Sequence, residues 1–332
     1  MKVFVHIGTE KTGTTSIQDF FDLNRQTLHG LGIAYLRSIG HTNNRKLATC
    51  CIGLDRKDDA ISALGIEEPE KRKQWQSRII KELRSEVSNL SSNIQTIVIS
   101  SEHFHSRLVS IQEVEFLHQI LKTIADEIKI VVYLRPQVEM AISLYSTALK
   151  VGQYNSNILP KVNPEQSIYY NYQKLLWLWS KVFKPENLIV RLFESQSMFN
   201  GNVIEDLLTN VLAVNYQYRD LVHVHKKNES ITPVGQKILN SINKHFVDKK
   251  DIRVKLRKYI EVNYAGKGLY PPKDNYLAFQ SKFQNSNSQV AQMWFKKDTL
   301  FEISYPDQKI HDSNIYSEES LDSLIGFFKT LF

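Results

Sequence analysis

Val3-Phe-Val-His-Ile-Gly8-Thr-Glu-Lys11-Thr12-Gly13-Thr14-Thr15-Ser16-Ile-Gln18 is the stretch from which the rest of the chain is read. Val3, Val5 and Ile7 alternate as the buried positions of a strand do, and the pattern stops at Gly8. A second glycine follows at position 13, and an amphipathic segment begins directly after it. Strand, glycine-bounded loop and helix in that order form a cradle for an anion. Backbone N–H groups of the loop and of the helix's first turn converge on one point.

The spacing of Gly8 and Gly13 is that of the phosphate loop G-x-x-x-x-G-K-[ST], and Thr15 stands where its hydroxyl residue belongs. The lysine after the second glycine is replaced by Thr14, and a lysine stands inside the loop instead, at Lys11. A nucleoside triphosphate places heavy charge and a metal ion at the missing position. Loss of that lysine argues against ordinary ATP or GTP hydrolysis, while the surviving cradle argues for some other phosphate.

Working outward, Ile17, Phe20, Phe21, Leu28 and Leu31 continue one helical face from Thr14 to about Leu31, where Gly30 and Gly32 end it. Residues 33–36 read as a short strand. Residues 38–70 are polar and aperiodic and read as loop and short helix beside an acceptor site. A helical stripe at 71–90 leads to the β-branched strand 94–100, which ends in Ser100-Ser101-Glu102-His103. A helix at 111–126 precedes the strand 128–134, which stops at Arg135-Pro136. Pro136 suits the start of a helix over 137–150. Residues 151–166 connect to an aromatic helix (169–183), a strand (187–193) and a helix (202–213).

Strands alternating with helices predict an α/β fold, a parallel central sheet with helices on both faces. Residues 1–213 form this core, and 214–332 a mostly helical part packed on it. Within the latter, Lys249, Lys250, Arg253, Lys255, Arg257 and Lys258 crowd one span. Without aromatic residues interleaved for stacking, this span reads as a solvated helix face and not as a nucleic-acid surface.

Ligands of open α/β sheets bind outside the carboxyl ends of the strands. Three such ends carry chemistry here: the loop with Lys11, then Glu102 and His103, then Arg135. Arginine at a strand end with Ser143 about two helical turns further on suits a phosphate, because the guanidinium fork matches two oxygens. Glu102 and His103 are both candidates for a general base. His6 is a candidate for positioning a substrate and equally for a core histidine.

With these residues in view, the chain resembles the sulfotransferase family that uses 3′-phosphoadenosine 5′-phosphosulfate. Lys11-Thr-Gly-Thr-Thr-Ser16 is similar to that family's 5′-phosphosulfate loop, and Tyr133-Leu-Arg135-Pro with Ser143-Leu-Tyr145 to its 3′-phosphate element. The resemblance covers residues 3–21, 97–104 and 131–150. Two later segments, Lys227-Asn-Glu-Ser230 and Phe283–Phe295, are similar to late elements of bacterial members. In Phe283–Phe295 a helix burying Val290, Met293 and Trp294 is expected. The Arg-Lys-Gly element of the classical cytosolic enzymes is absent.

The resemblance implies a P-loop-like three-layer fold. It implies donor binding by Lys11, Thr12, Gly13, Thr14, Thr15, Ser16, Arg135 and Ser143, and adenosine 3′,5′-bisphosphate as product. It favours Glu102 over His103 as the base, with a saccharide or a small hydroxylated molecule as acceptor; no metal is expected, since no His, Cys, Asp and Glu cluster with metal-ligand spacing stands in the sequence. Lys11 then meets the charge that develops on the departing 5′-phosphate oxygen. A divergent kinase or NTPase and a non-catalytic nucleotide binder remain the alternatives.

Composition sets the outer bounds. The 332 residues, 42% hydrophobic and 23% charged, suffice for a large soluble core. The formal charge of +7 favours anionic partners. The two cysteines, Cys50 and Cys51, are adjacent and offer neither a disulfide framework nor a metal spacing. The first strand leaves no room for a leader before it, and no apolar run reaches a membrane span. The expectation is a cytoplasmic protein.

Overall fold

A computed structural model describes residues 1–214, 221–223, 230–306, 321–322 and 325–326. The chain divides into two compact units. The first comprises Met1–Arg135, Glu165–His225 and Ser286–Leu300, and the second Pro136–Pro164, Lys226–Asn285 and Phe301–Phe332.

The first unit holds a five-stranded sheet built from β1 (Lys2–His6), β2 (Ile33–Tyr35), β3 (Thr96–Ser100), β4 (Glu127–Leu134) and β5 (Leu188–Leu192). Their order is β2-β3-β1-β4-β5, and every pairing is parallel. The β-branched runs seen in the sequence are buried because the helices of α1 (Thr14–Leu23), α2 (Arg25–Gly30), α3 (Arg45–Cys51), α4 (Asp59–Ala63), α5 (Pro69–Ser88), α6 (His103–Arg107) and α7 (Ile111–Leu121) enclose the sheet. β1 lies between β3 and β4, with His6 opposite Ser100 on one side and Val131 on the other. The chain leaves β1 for β2 and then β3 on one side and crosses to β4 on the other. The carboxyl end of β1 is therefore where the strand order reverses, the place where such sheets bind ligands. Phe4, Ile17, Phe20, Phe21, Val98, Val131 and Tyr133 pack one face of this core.

The expected helix from Thr14 to Leu31 is two helices. Asn24 breaks it: its amide donates to the carbonyls of Phe20 and Val222 (2.9 Å each), and its Oδ1 accepts the Val222 N–H at 2.7 Å. The polar stretch 38–70 holds a buried helix, because α3 places Leu47, Ala48, Cys50 and Cys51 inside. Burial pushes the Cys50 thiol up to about 12, which leaves it a small core residue. The segment expected to be a helix over 202–213 begins as α10 (Val203–Asp206) and widens into a π-turn at Leu207–Val211.

In the second unit α8 (Gln137–Lys150), α11 (Pro233–His245), α12 (Lys250–Asn263) and α13 (Lys273–Ser281) are the main elements. Tyr145, Leu149, Leu239, Ile242, Phe246 and Ile260 form its core. The basic span on α12 is only partly a solvated face. Arg257 donates to the Lys150 carbonyl at 3.0 Å and Arg253 to the Gly152 carbonyl at 3.3 Å, so both close the end of α8, where cations are favoured. In the last segment of the first unit, a π-turn over Ala291–Phe295 follows α14 (Gln284–Val290) and changes the helical phase. Val290 stays buried, whereas Met293 is exposed and Trp294 only half-buried, contrary to the helical reading of that segment. Lys227, Asn228 and Glu229, singled out in the sequence, lie outside the described residues.

Candidate active site

The loop after β1 is a rigid construction in the first unit. Gly8 has φ 98°, and a Cβ there would lie 3.3 Å from the Glu102 Cα, so the two chain ends meet at a point only glycine allows. Gly13 has φ 76°, and its Cβ would lie 2.9 Å from the Val203 Cγ1. Between them Lys11 is itself left-handed, φ 66°, a conformation lysine holds only when its surroundings enforce it.

Those surroundings are visible. The Arg135 Nη1 donates to the Lys11 carbonyl at 2.7 Å, and the guanidinium lies over the Phe193 ring, 5.8 Å from its centre. Tyr172, at the start of α9 (Tyr172–Phe183), donates its hydroxyl to the Arg135 carbonyl at 2.7 Å. Tyr169 donates to the Glu10 carboxylate at 2.7 Å. The Glu10 N–H reaches the His105 Nδ1 at 3.4 Å, which leaves the His105 Nε2 to donate to the Tyr169 carbonyl at 3.0 Å. The Thr9 hydroxyl and N–H both reach the Tyr133 carbonyl at 3.1 Å.

Thr12 works inside the loop: it is fully buried and donates to the Thr9 carbonyl at 2.6 Å. Gly13 then opens α1 with no side-chain cap and no acidic residue in the first turn. Thr14 is buried, and its Oγ1 makes no hydrogen bond within the described residues. Thr15 is exposed and Ser16 half-buried on the same turn. Among the described residues no side chain caps the positive end of α1, and its first turn carries no acid.

Glu102 follows β3. Its Oε2 accepts from the Gln18 amide at 3.0 Å and from the Asn43 amide at 3.0 Å, and its Oε1 accepts from the same Asn43 nitrogen at 3.1 Å. The His103 Nε2 is 3.8 Å from Oε1, beyond hydrogen-bond distance. Nearby, Arg107 pairs with Asp58 (2.7 Å) and Asp59 (2.9 Å), and Arg45 with Asp59 (2.8 Å), giving this side of the loop a polar rim. Ser143 lies half-buried on α8, in the second unit, whereas Arg135 belongs to the first. The first unit thus brings Lys11, the helix N-terminus, Glu102, His103 and Arg135 around one strand end. Gln18, Asn43, Tyr169 and Tyr172 carried no local signal in the sequence that distinguished them.

His6, His103 and His105 are all held below the ordinary histidine value. Burial lowers His6 to about 3, where it makes one 2.8 Å contact to the Ser100 hydroxyl and serves as a core residue. Burial lowers His103 against the opposing pull of Glu102, and His105 against that of Glu10. Unfolded histidines ionise near about 6.5, so the unfolded chain binds protons first as pH falls. This contribution to stability is fully present above that value and is lost as pH falls toward the folded values. The urea midpoint is expected to drop between pH 7 and 5, with a shallower slope in His6→Asn; a flat midpoint over that range contradicts the assignment.

Neither a family model nor a curated protein matches this chain. Among the described residues no group of three or more His, Cys, Asp or Glu side chains is arranged to hold a metal ion, and no helix is long and apolar enough to cross a membrane.

Proposed function

We propose that the chain is a sulfotransferase that moves a sulfuryl group from 3′-phosphoadenosine 5′-phosphosulfate to an acceptor hydroxyl. The observation that carries this reading is the start of α1. It is opened by a left-handed Gly13, capped by no side chain, and lined by a buried Thr14 hydroxyl that makes no hydrogen bond within the described residues. Those groups suit the 5′-phosphate of the donor. A lysine inside the loop, in place of one after it, supports a sulfuryl over a γ-phosphoryl donor.

Four groups of the chain then divide the work. Backbone N–H groups of residues 13–16 hold the 5′-phosphate, and Lys11 stabilises the charge it gains as the S–O bond breaks. Arg135 supports the loop through the Lys11 carbonyl, and its guanidinium is the group of the first unit suited to the 3′-phosphate. Glu102 accepts the proton of the acceptor hydroxyl. The polar rim of His103, Arg45 and Arg107 favours a polyhydroxylated acceptor such as a saccharide over a flat phenol.

Calorimetry tests the donor. Adenosine 3′,5′-bisphosphate is expected to bind, and ATP–Mg²⁺ to bind far more weakly. Arg135→Ala is expected to weaken the bisphosphate about tenfold or more, as loss of a hydrogen bond to a charged group does. Tight ATP–Mg²⁺ binding with none of the bisphosphate overturns the reading in favour of a nucleoside triphosphate enzyme.

A further inference from the structure

The geometry points to Asn43 as the residue that positions Glu102 for proton transfer and selects which carboxylate oxygen takes the proton. This rests on the sulfotransferase reading and adds to it a role that the sequence did not assign.

Asn43 is held in place independently of Glu102. Its neighbour Asn44 is fully buried and donates to the carbonyls of Leu36 (3.2 Å) and Gly40 (3.0 Å). Asn44 also exchanges two bonds with the end of β3: its Oδ1 accepts the Ser100 N–H at 2.9 Å, and its own N–H reaches the Ser100 carbonyl at 3.0 Å. Gly40, at φ 129°, lets the chain fold so tightly that a Cβ would lie 2.1 Å from the Asn43 carbonyl. The backbone that carries Asn43 is therefore fastened to the end of β3, just before Glu102.

From that anchor the Asn43 amide spans both carboxylate oxygens, at 3.1 and 3.0 Å, and makes no other side-chain hydrogen bond among the described residues. Gln18, on the second turn of α1, adds a third bond to Oε2 at 3.0 Å. An ionised carboxylate oxygen has about two acceptor positions. Among the described residues Oε2 has both filled, by Gln18 and Asn43, while Oε1 has one filled and keeps one, on the side that faces His103. The acceptor's proton goes to Oε1. As it leaves, the acceptor oxygen forms its bond to sulfur, the S–O bond to the 5′-phosphate breaks, and that electron pair stays on the phosphate oxygen. Asn43 touches neither donor nor acceptor in this scheme and acts through Glu102.

The test uses the full chain, labelled donor, and water and glucose as acceptors, with transferred sulfate and bisphosphate binding both measured. Asn43→Ala is expected to lower kcat about tenfold to a hundredfold, part of what a positioned base supplies, while donor KM and bisphosphate affinity stay within about twofold. Asn43→Asp keeps the size and removes the donor, and is expected to be at least as slow. In a Glu102→Gln background Asn43→Ala is expected to add no further loss, because the group it positions is already gone.

Full additivity in that background, or full activity in Asn43→Asp, overturns the positioning role and leaves the sulfotransferase reading standing. A wild-type chain that binds no bisphosphate and transfers no sulfate overturns both. Binding without turnover to either acceptor makes the chain a non-catalytic binder and likewise overturns the inference.

Discussion

Lys11→Ala is expected to lower the sulfuryl transfer rate by about two to three orders of magnitude while bisphosphate affinity changes by no more than about threefold. The two effects separate because the 5′-phosphate oxygen gains its extra negative charge only as the S–O bond breaks, so the ammonium contributes most in the transition state. The left-handed backbone at this position and the hydrogen bond from Arg135 belong to the main chain and remain after the side chain is shortened. Single-turnover rates with labelled donor give the first quantity and calorimetry the second. Equal losses in rate and affinity would mean that Lys11 only holds the donor, and an undiminished rate would remove it from the mechanism.

The largest stability effect is expected at Asp206. Its fully buried carboxylate accepts from the Arg191 Nε (3.0 Å), the Tyr133 hydroxyl (2.8 Å), the Phe199 N–H (3.0 Å) and the Asn210 amide (2.7 Å). It thereby ties β4, β5, the segment after β5 and α10 to one point. Val203 and Phe193, the residues that a Cβ on Gly13 would meet, stand on this same framework. Asp206→Ala leaves the Arg191 charge and a buried Tyr133 hydroxyl without their partner, a loss on the order of 3–5 kcal/mol.

The sign with pH follows from the environment of the carboxyl. Burial alone would raise its pKa, but the bonds from Arg191, Asn210, Phe199 and Tyr133 outweigh burial and hold it below the ordinary range. Its stabilisation is therefore complete above about pH 4, the unfolded value, and is lost as pH falls through the lower folded value. Urea unfolding of wild type and variant at pH 7 and near pH 3 checks both statements. The gap between the two proteins should narrow in acid, and a gap under about 1 kcal/mol at pH 7 would contradict the account.

What could be read from the sequence was what depends on neighbours in the chain. Alternation in Val3, Val5 and Ile7 predicted β1, the β-branched runs predicted β3 and β4, and the two glycines marked where the backbone must turn. Placing Lys11, Glu102 and Arg135 at three strand ends also followed, because a parallel sheet aligns those ends whatever the intervening sequence. Residues that support the site were not legible for the opposite reason. Asn43 reaches Glu102 across 59 positions and Tyr169 reaches Glu10 across 159, and neither sits in a pattern that marks it. The apolar face of α3 was hidden because a helix of 7 residues repeats its stripe too few times to stand out from a polar surrounding. The break at Asn24 and the π-turns at residues 207–211 and 291–295 are likewise decided by what the chain packs against.

The dependence of the loop on Tyr169 and Tyr172 also bears on how the protein comes into being. The loop of residues 8–16 leaves the ribosome well before Tyr169 and Tyr172, whose hydroxyls hold Glu10 and the Arg135 carbonyl. A nascent chain that ends before residue 165 has the glycines, Lys11 and the start of α1 but lacks these two braces. On the proposed function, donor affinity is expected to appear during synthesis only after that segment has emerged.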